Sequence, residues 1–134
     1  MGAGRESSKT MAHILVIDDD PGIRDSLTLM LRTAGHTIET AANGRAGLEL
    51  AARMRFDLVI TDVLMPEMDG AEAVRALRAL PESPRILVMT GGAVLGADLM
   101  ALAGEYGVDA SIAKPFRPRE LYAVIDRVLQ RGGA

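Results

Sequence analysis

The stretch His13-Ile14-Leu15-Val16-Ile17-Asp18-Asp19-Asp20-Pro21 decides the fold. Its apolar run is short, continuous and rich in β-branched residues, which predicts a strand buried on both faces. Three aspartates then end it abruptly. Asp20 suits the cap of a following helix with Pro21 at its first position, and Ile23, Leu27, Met30, Leu31 and Ala34 recur at helical spacing until Gly35 closes it. The first unit is therefore strand, acidic turn, helix.

The same unit repeats along the chain. Further strands are predicted over His36 to Ala41, Phe56 to Asp62, Arg85 to Met89 with Thr90 at its end, and Gly107 to Ala113. Asn43-Gly44 leads into a helix with Leu48, Ala51 and Ala52 on one side, ending near Arg55. A helix after Gly70 turns Ala73, Val74 and Leu77 to the core, and one from Pro118 buries Leu121, Val124, Ile125, Val128 and Leu129 before Gly132-Gly133 closes it. A helix over 93–106 is expected to be the least rigid, because Gly91, Gly92, Gly96 and Gly104 each cost roughly 1 kcal/mol wherever they fall in a helix interior. Strict alternation of apolar strands with helices predicts an α/β protein with a parallel sheet covered on both faces. Ligands of such sheets collect at the carboxyl ends of the strands.

The 134 residues suffice for one domain with one core. We expect residues 1–11 to be a leader or disordered extension, since Met11 directly precedes the apolar run, residues 12–131 to form the domain, and 132–134 a tail. A net charge of −3 argues against direct nucleic-acid binding, and no apolar run approaches the ~18 residues of a membrane span. The absence of cysteine excludes disulfides and thiolate metal sites. With no signal-peptide pattern at the start, a cytoplasmic location is expected.

The predicted strand ends carry Asp18, Asp19, Asp62, Thr90 and Lys114. Asp62 follows a run of apolar residues and precedes two more, so it is not a simple turn residue. Three converging carboxylates repel one another, and a hard divalent cation such as Mg²⁺ is the least costly remedy, with Mn²⁺ an alternative. Lys114 is the only lysine within the expected domain of a chain that otherwise uses arginine, as though the position wants a compact ammonium. An ammonium, a metal and the Thr90 hydroxyl together supply what a phosphoryl group needs. His13 and His36 fall at strand starts, at the opposite end, which leaves a carboxylate as the candidate nucleophile, able to form an aspartyl phosphate.

Ile17-Asp18-Asp19-Asp20-Pro21, Asp62 followed by Met65-Pro66 and Asp69-Gly70, Thr90 with a small residue after it, and Lys114-Pro115-Phe116 resemble the receiver domain of two-component response regulators. The resemblance spans residues 13 to about 131. It implies a doubly wound (βα)5 flavodoxin-like fold with strand order 2-1-3-4-5. It implies Asp62 as phosphoacceptor and Asp18 with Asp19 as the acidic pair holding Mg²⁺, Asp19 directly and Asp18 through water. The backbone carbonyl of Leu64 is then a further metal ligand, Thr90 the switch hydroxyl, Lys114 the phosphoryl contact, and Lys114-Pro115 a cis bond. The phosphoryl donor it implies is a sensor histidine kinase or a histidine phosphotransfer protein. The chain is then a switch with self-phosphorylation and autodephosphorylation only, not an enzyme acting on free substrate. Two alternatives use the same rim: a degenerate receiver acting as a scaffold, and a small Mg²⁺-dependent phosphatase.

The sequence also departs from the family pattern. Ser111 stands where the family commonly has Tyr or Phe, so coupling through Thr90 needs another readout. The 24 residues from Thr90 to Lys114 look about two longer than the common form and begin Gly91-Gly92, which makes that loop and the following helix the expected moving part. Leu64 and Gly92 occupy places resembling the family's rate-tuning positions and lack a polar group to orient water, so a long-lived phosphoryl group is expected. Output is expected through a downstream protein, with helix 93–106, the fifth strand and the last helix as one surface and Met65 and Met68 beside Pro66 as another. The chain reads equally as a stand-alone regulator or a receiver from a longer one.

Overall fold

The computed structural model describes residues 11–62, 70–90 and 108–133. The elements are β1 (His13–Ile17), α1 (Pro21–Thr33), β2 (Thr37–Ala41), α2 (Gly44–Arg53), β3 (Leu58–Asp62), α3 (Gly70–Arg78), β4 (Arg85–Thr90), β5 (Ala110–Ala113) and α4 (Pro118–Gly133). The expected helix over 93–106, together with Leu64, Met65, Pro66, Met68, Gly91 and Gly92, lies outside the described residues.

All five strands are parallel, in the order β2-β1-β3-β4-β5. Because side chains alternate across a strand, β1, β3 and β4 each feed two cores. Ile14 and Val16 of β1 join Leu58, Ile60, Leu87, Met89 and Ile112 against Leu27 and Leu31 of α1 and Leu121, Ile125 and Val128 of α4. Leu15 and Ile17 join Val59, Ile86 and Val88 on the other face, against Val74 and Leu77 of α3. This burial on both faces is why these three strands read as nearly continuous apolar runs. Among the described residues, no helix is long and apolar enough to cross a membrane.

The helix caps follow the sequence. Asp20 is extended and its side chain accepts from the Gly22 amide with Pro21 beginning the helix, while Gly35, at φ +100°, takes the left-handed turn that ends it. Asn43 caps α2 by accepting from the Ala46 amide at 2.8 Å. On α2 the sequence expectation needs correction: Ala52 is exposed, Leu48 and Ala51 are half-buried, and Gly44 and Gly47 are the buried positions. A Cβ at Gly47 would stand 2.7 Å from Ile17 Cγ1 and closer still to Cδ1. The helix lies so near β1 that only a missing side chain fits.

Element edges shift where a polar group is claimed by another partner. β2 starts at Thr37 because the His36 amide donates to Leu31 and the His36 ring accepts from Ala12. β3 starts at Leu58, after Phe56 and Asp57. β5 starts at Ala110 because Asp109 turns its carboxylate to the Ile86 amide and to Arg78. α2 stops at Arg53, with Met54 extended, and α4 runs through Gly133 rather than stopping before it. Val124 and Leu129 are half-buried at the edge of the core instead of inside it. The Tyr122 hydroxyl of α4 donates to the Met30 carbonyl of α1 at 2.9 Å, joining the two helices on that face.

Candidate functional site

Register fixes the site. Ile17 of β1 lies beside Thr61 of β3, so the next residues, Asp18 and Asp62, leave the sheet as neighbours. The strand order reverses between β1 and β3, and such a reversal opens a crevice at the carboxyl ends of the strands. Asp19 follows Asp18 into the turn. One carboxylate oxygen from each of Asp18, Asp19 and Asp62 lies within 4.8 Å of the others.

Lys114 reaches this cluster from the end of β5. Its Nζ donates to Asp62 Oδ2 at 2.8 Å and approaches Asp18 Oδ2 at 3.4 Å. Its amide donates to the Thr90 carbonyl at 2.7 Å, which fixes the stem to β4, and the Lys114-Pro115 bond is cis. Thr90 is buried at the rim, and its hydroxyl donates to the Ile112 carbonyl at the long distance of 3.5 Å. Ser111 is half-buried opposite Val88.

The electrostatics follow from burial. Asp18 has no exposed surface, while Asp19 is exposed. Burial raises the Asp18 pKa above the usual carboxylate value and the Asp62 charge adds to it; the Asp20 amide, which donates to Oδ1 at 2.9 Å, and Lys114 pull the other way. For Lys114, burial alone would lower the pKa. The bond and charge of Asp62, with those of Asp18, outweigh it and leave the ammonium above its ordinary value. The lysine therefore stays charged at neutral pH.

One ammonium faces three carboxylates, and every ligand atom is a hard oxygen. That donor set fits a divalent cation such as Mg²⁺ and lacks the nitrogen or sulfur that Zn²⁺ sites favour. The structure thus brings together Asp18, Asp19, Asp62 and Lys114 and sets Thr90 on the same rim. Leu64 lies outside the described residues.

Arg24 is a contributor that the sequence pattern does not single out. It sits on the first turns of α1, and its Nη1 donates to the Asp18 carbonyl at 2.6 Å. A side chain bonded to a backbone carbonyl leaves no complementary residue in the sequence to betray it. His13 and His36 stand at the amino-terminal end, where His13 Nδ1 lies 2.8 Å from the Arg55 carbonyl and His36 Nδ1 accepts from the Ala12 amide at 3.1 Å.

An acidic cleft with a half-buried lysine at the switch point of a doubly wound sheet defines a phosphorylation-type signalling switch, and the chain belongs to the response regulator receiver domain family, which it matches over residues 14–126. It is 39% identical over 123 residues to the transcriptional regulatory protein AfsQ1 of Streptomyces coelicolor, covering 91% of this chain and 53% of that one. The chain thus spans about half the length of the curated relatives it matches. Among solved structures it resembles the chemotaxis protein CheY4 of Vibrio cholerae, with a TM-score of 0.82 and 35% identity, over 88% of this chain and 98% of that one. It also resembles the receiver domain of the sensor histidine kinase PA1611 of Pseudomonas aeruginosa, described with a magnesium ion coordinated in its active-site cleft. There the TM-score is 0.80 and the identity 28%, over 89% of this chain and 98% of that one.

Proposed function

We propose that Asp62 is the phosphoacceptor of a two-component switch, that Asp18, Asp19 and Asp62 hold Mg²⁺ with the Leu64 carbonyl, and that Lys114 and Thr90 meet the phosphoryl group. The observation that carries this reading is the position of Lys114 Nζ, at 2.8 Å from Asp62 and 3.4 Å from Asp18 in a cluster of three carboxylates.

In this reading an Asp62 oxygen attacks the phosphorus of a phosphohistidine. The O–P bond forms, the P–N bond breaks, and the imidazole nitrogen leaves with its electron pair. Lys114 exchanges its contact with the Asp62 carboxylate for one with a phosphoryl oxygen. Thr90 turns from the Ile112 carbonyl toward the same group, and its bond there, at 3.5 Å, is a weak one to give up. Asp18, held by the Asp20 amide, keeps its carboxylate directed at the cleft while the charge on Asp62 changes. Bound Mg²⁺ supplies charge neutralisation for the transferring phosphoryl oxygens.

The donor is a sensor histidine kinase or histidine phosphotransfer protein, and the output is contact with a downstream protein through residues 93–106, β5 and α4. The acidic charge argues against direct phosphate-backbone binding by this domain. A longer relative is named a transcriptional regulatory protein.

Incubation with Mg²⁺ and acetyl phosphate, followed by intact-mass spectrometry, tests the assignment. The parent gains one phosphoryl group, and Asp62→Asn gains none. Equal behaviour of the two would return the site to a scaffold role.

A further inference from the structure

We propose that Arg24 is a positioning residue for the acidic turn: by holding the Asp18 carbonyl it fixes the peptide plane from which both Asp18 and Asp19 face the cleft. The inference rests on the metal-binding reading of that cleft.

The last paired rung of β1 is Ile17, opposite Ala41 on one side and Thr61 on the other. Asp18 lies one residue beyond it. Its amide still donates to the Ala41 carbonyl at 3.1 Å, but its own carbonyl has passed the ladder. With Asp18 wholly buried, an unmet carbonyl there would carry the full cost of its lost hydration. Arg24 meets it at 2.6 Å with a charged donor, the stronger kind of hydrogen bond.

The clamp is anchored at its other end too. The Arg24 amide donates to the Asp20 carbonyl at 3.0 Å, and the Thr28 hydroxyl donates to the Arg24 carbonyl at 2.7 Å, so the guanidinium projects from a backbone already fixed in α1. Between the two anchors the turn has little freedom. A flip of the Asp18–Asp19 peptide would break the Arg24 bond and swing Asp19, which is exposed. Arg24 thereby acts on the cleft through Asp18 and Asp19.

Arg24 has two opposite effects on a cation. Its charge repels a divalent ion, whereas its hydrogen bond orders the ligands; we infer that the ordering is the larger. Arg24→Met and Arg24→Lys, made in the full chain, separate them by Mg²⁺ titration and by amide hydrogen exchange of metal-free protein. Arg24→Met is expected to weaken Mg²⁺ binding roughly 10-fold, the usual cost of removing a group that orients a metal ligand. It is also expected to speed exchange of the Asp20 amide several-fold while the Leu87 amide of β4 keeps its protection. Arg24→Lys, which keeps a cationic donor, recovers most of both. Unchanged Asp20 exchange, tighter Mg²⁺ binding in Arg24→Met, or equal loss of protection at Leu87 would each overturn the proposal. A parent protein that binds no Mg²⁺ sinks the metal reading instead, and Asp20 exchange still decides the role of Arg24.

Discussion

At the amino-terminal ends of the strands Asp109 meets Arg78 at 2.7 Å, Arg85 at 3.7 Å and the Ile86 amide at 2.8 Å, whereas at the carboxyl-terminal ends three carboxylates cluster and two of them, Asp18 and Asp62, share Lys114. Both clusters set aspartates against basic side chains at the ends of the same sheet. At the amino end each carboxylate is answered by cations and amides: Asp57 accepts from the His13 amide at 2.8 Å, and His13 stacks against Phe56 at 4.5 Å. At the carboxyl end negative charge is in excess. Balanced polar clusters hold elements together, and unbalanced ones are poised for a ligand.

The difference predicts that substitutions at the two ends separate signalling from stability. The largest effect on signalling beyond Asp62 itself is expected from Lys114→Arg. The variant should still bind Mg²⁺ and accept a phosphoryl group, but a planar fork should fail to replace a point charge against that group. Amide exchange of residues 91–106 with a beryllofluoride mimic reads the switch: a change in the parent and none in the variant is the expected outcome. Phosphorylated variant that binds partners as the parent does would refute it.

Asp109→Ala should do the reverse. Removing the acceptor for the Ile86 amide and the partner of two half-exposed arginines should cost about 2 kcal/mol in urea unfolding, while the rate of phosphorylation from acetyl phosphate stays at the parent value. Gly47→Ala tests the support behind the cleft. Alanine would ordinarily gain about 1 kcal/mol in a helix, but crowding against Ile17 costs about 1 to 3 kcal/mol, so a net loss of about 1 kcal/mol is expected.

The smallest effect is a pH limb. Burial lowers the His36 pKa from the ordinary 6.5, opposed by the charge of Asp126. Its folded-state value lies below its unfolded one, so the stability it contributes is complete above pH 6.5 and is lost as pH falls through the lowered value. Lys114 is the mirror case: its raised pKa contributes stability that is complete below 10.5 and lost as pH rises through the folded value. His36→Gln should flatten the acid limb of a thermal-midpoint profile and leave the alkaline limb alone.

Much of the site could be read from the sequence because it sits where the pattern changes. Asp18 ends an apolar run and Asp62 interrupts one, and a doubly wound sheet places such breaks together. The cap at Asp20 is readable for a similar reason, since it bonds within its own turn. What stayed hidden depends on distances between elements. Gly47 replaces Ala52 on the packed side of α2 because the helix approaches β1 closely, and helical periodicity carries no information on that approach. The starts of β2 and β5 differ from the pattern because the His36 ring is engaged by Ala12 and Asp109 by Arg78, partners that no short window around them contains.

The bond from Tyr122 to Met30 has a practical consequence. The protein contains no tryptophan and two tyrosines, so its ultraviolet emission belongs to those rings. The phenol of Tyr122 donates to a carbonyl across the seam between α1 and α4, an arrangement that dims fluorescence. A rise in its emission therefore gauges separation of these two helices without any label, and a Tyr106→Phe background makes the gauge single-valued.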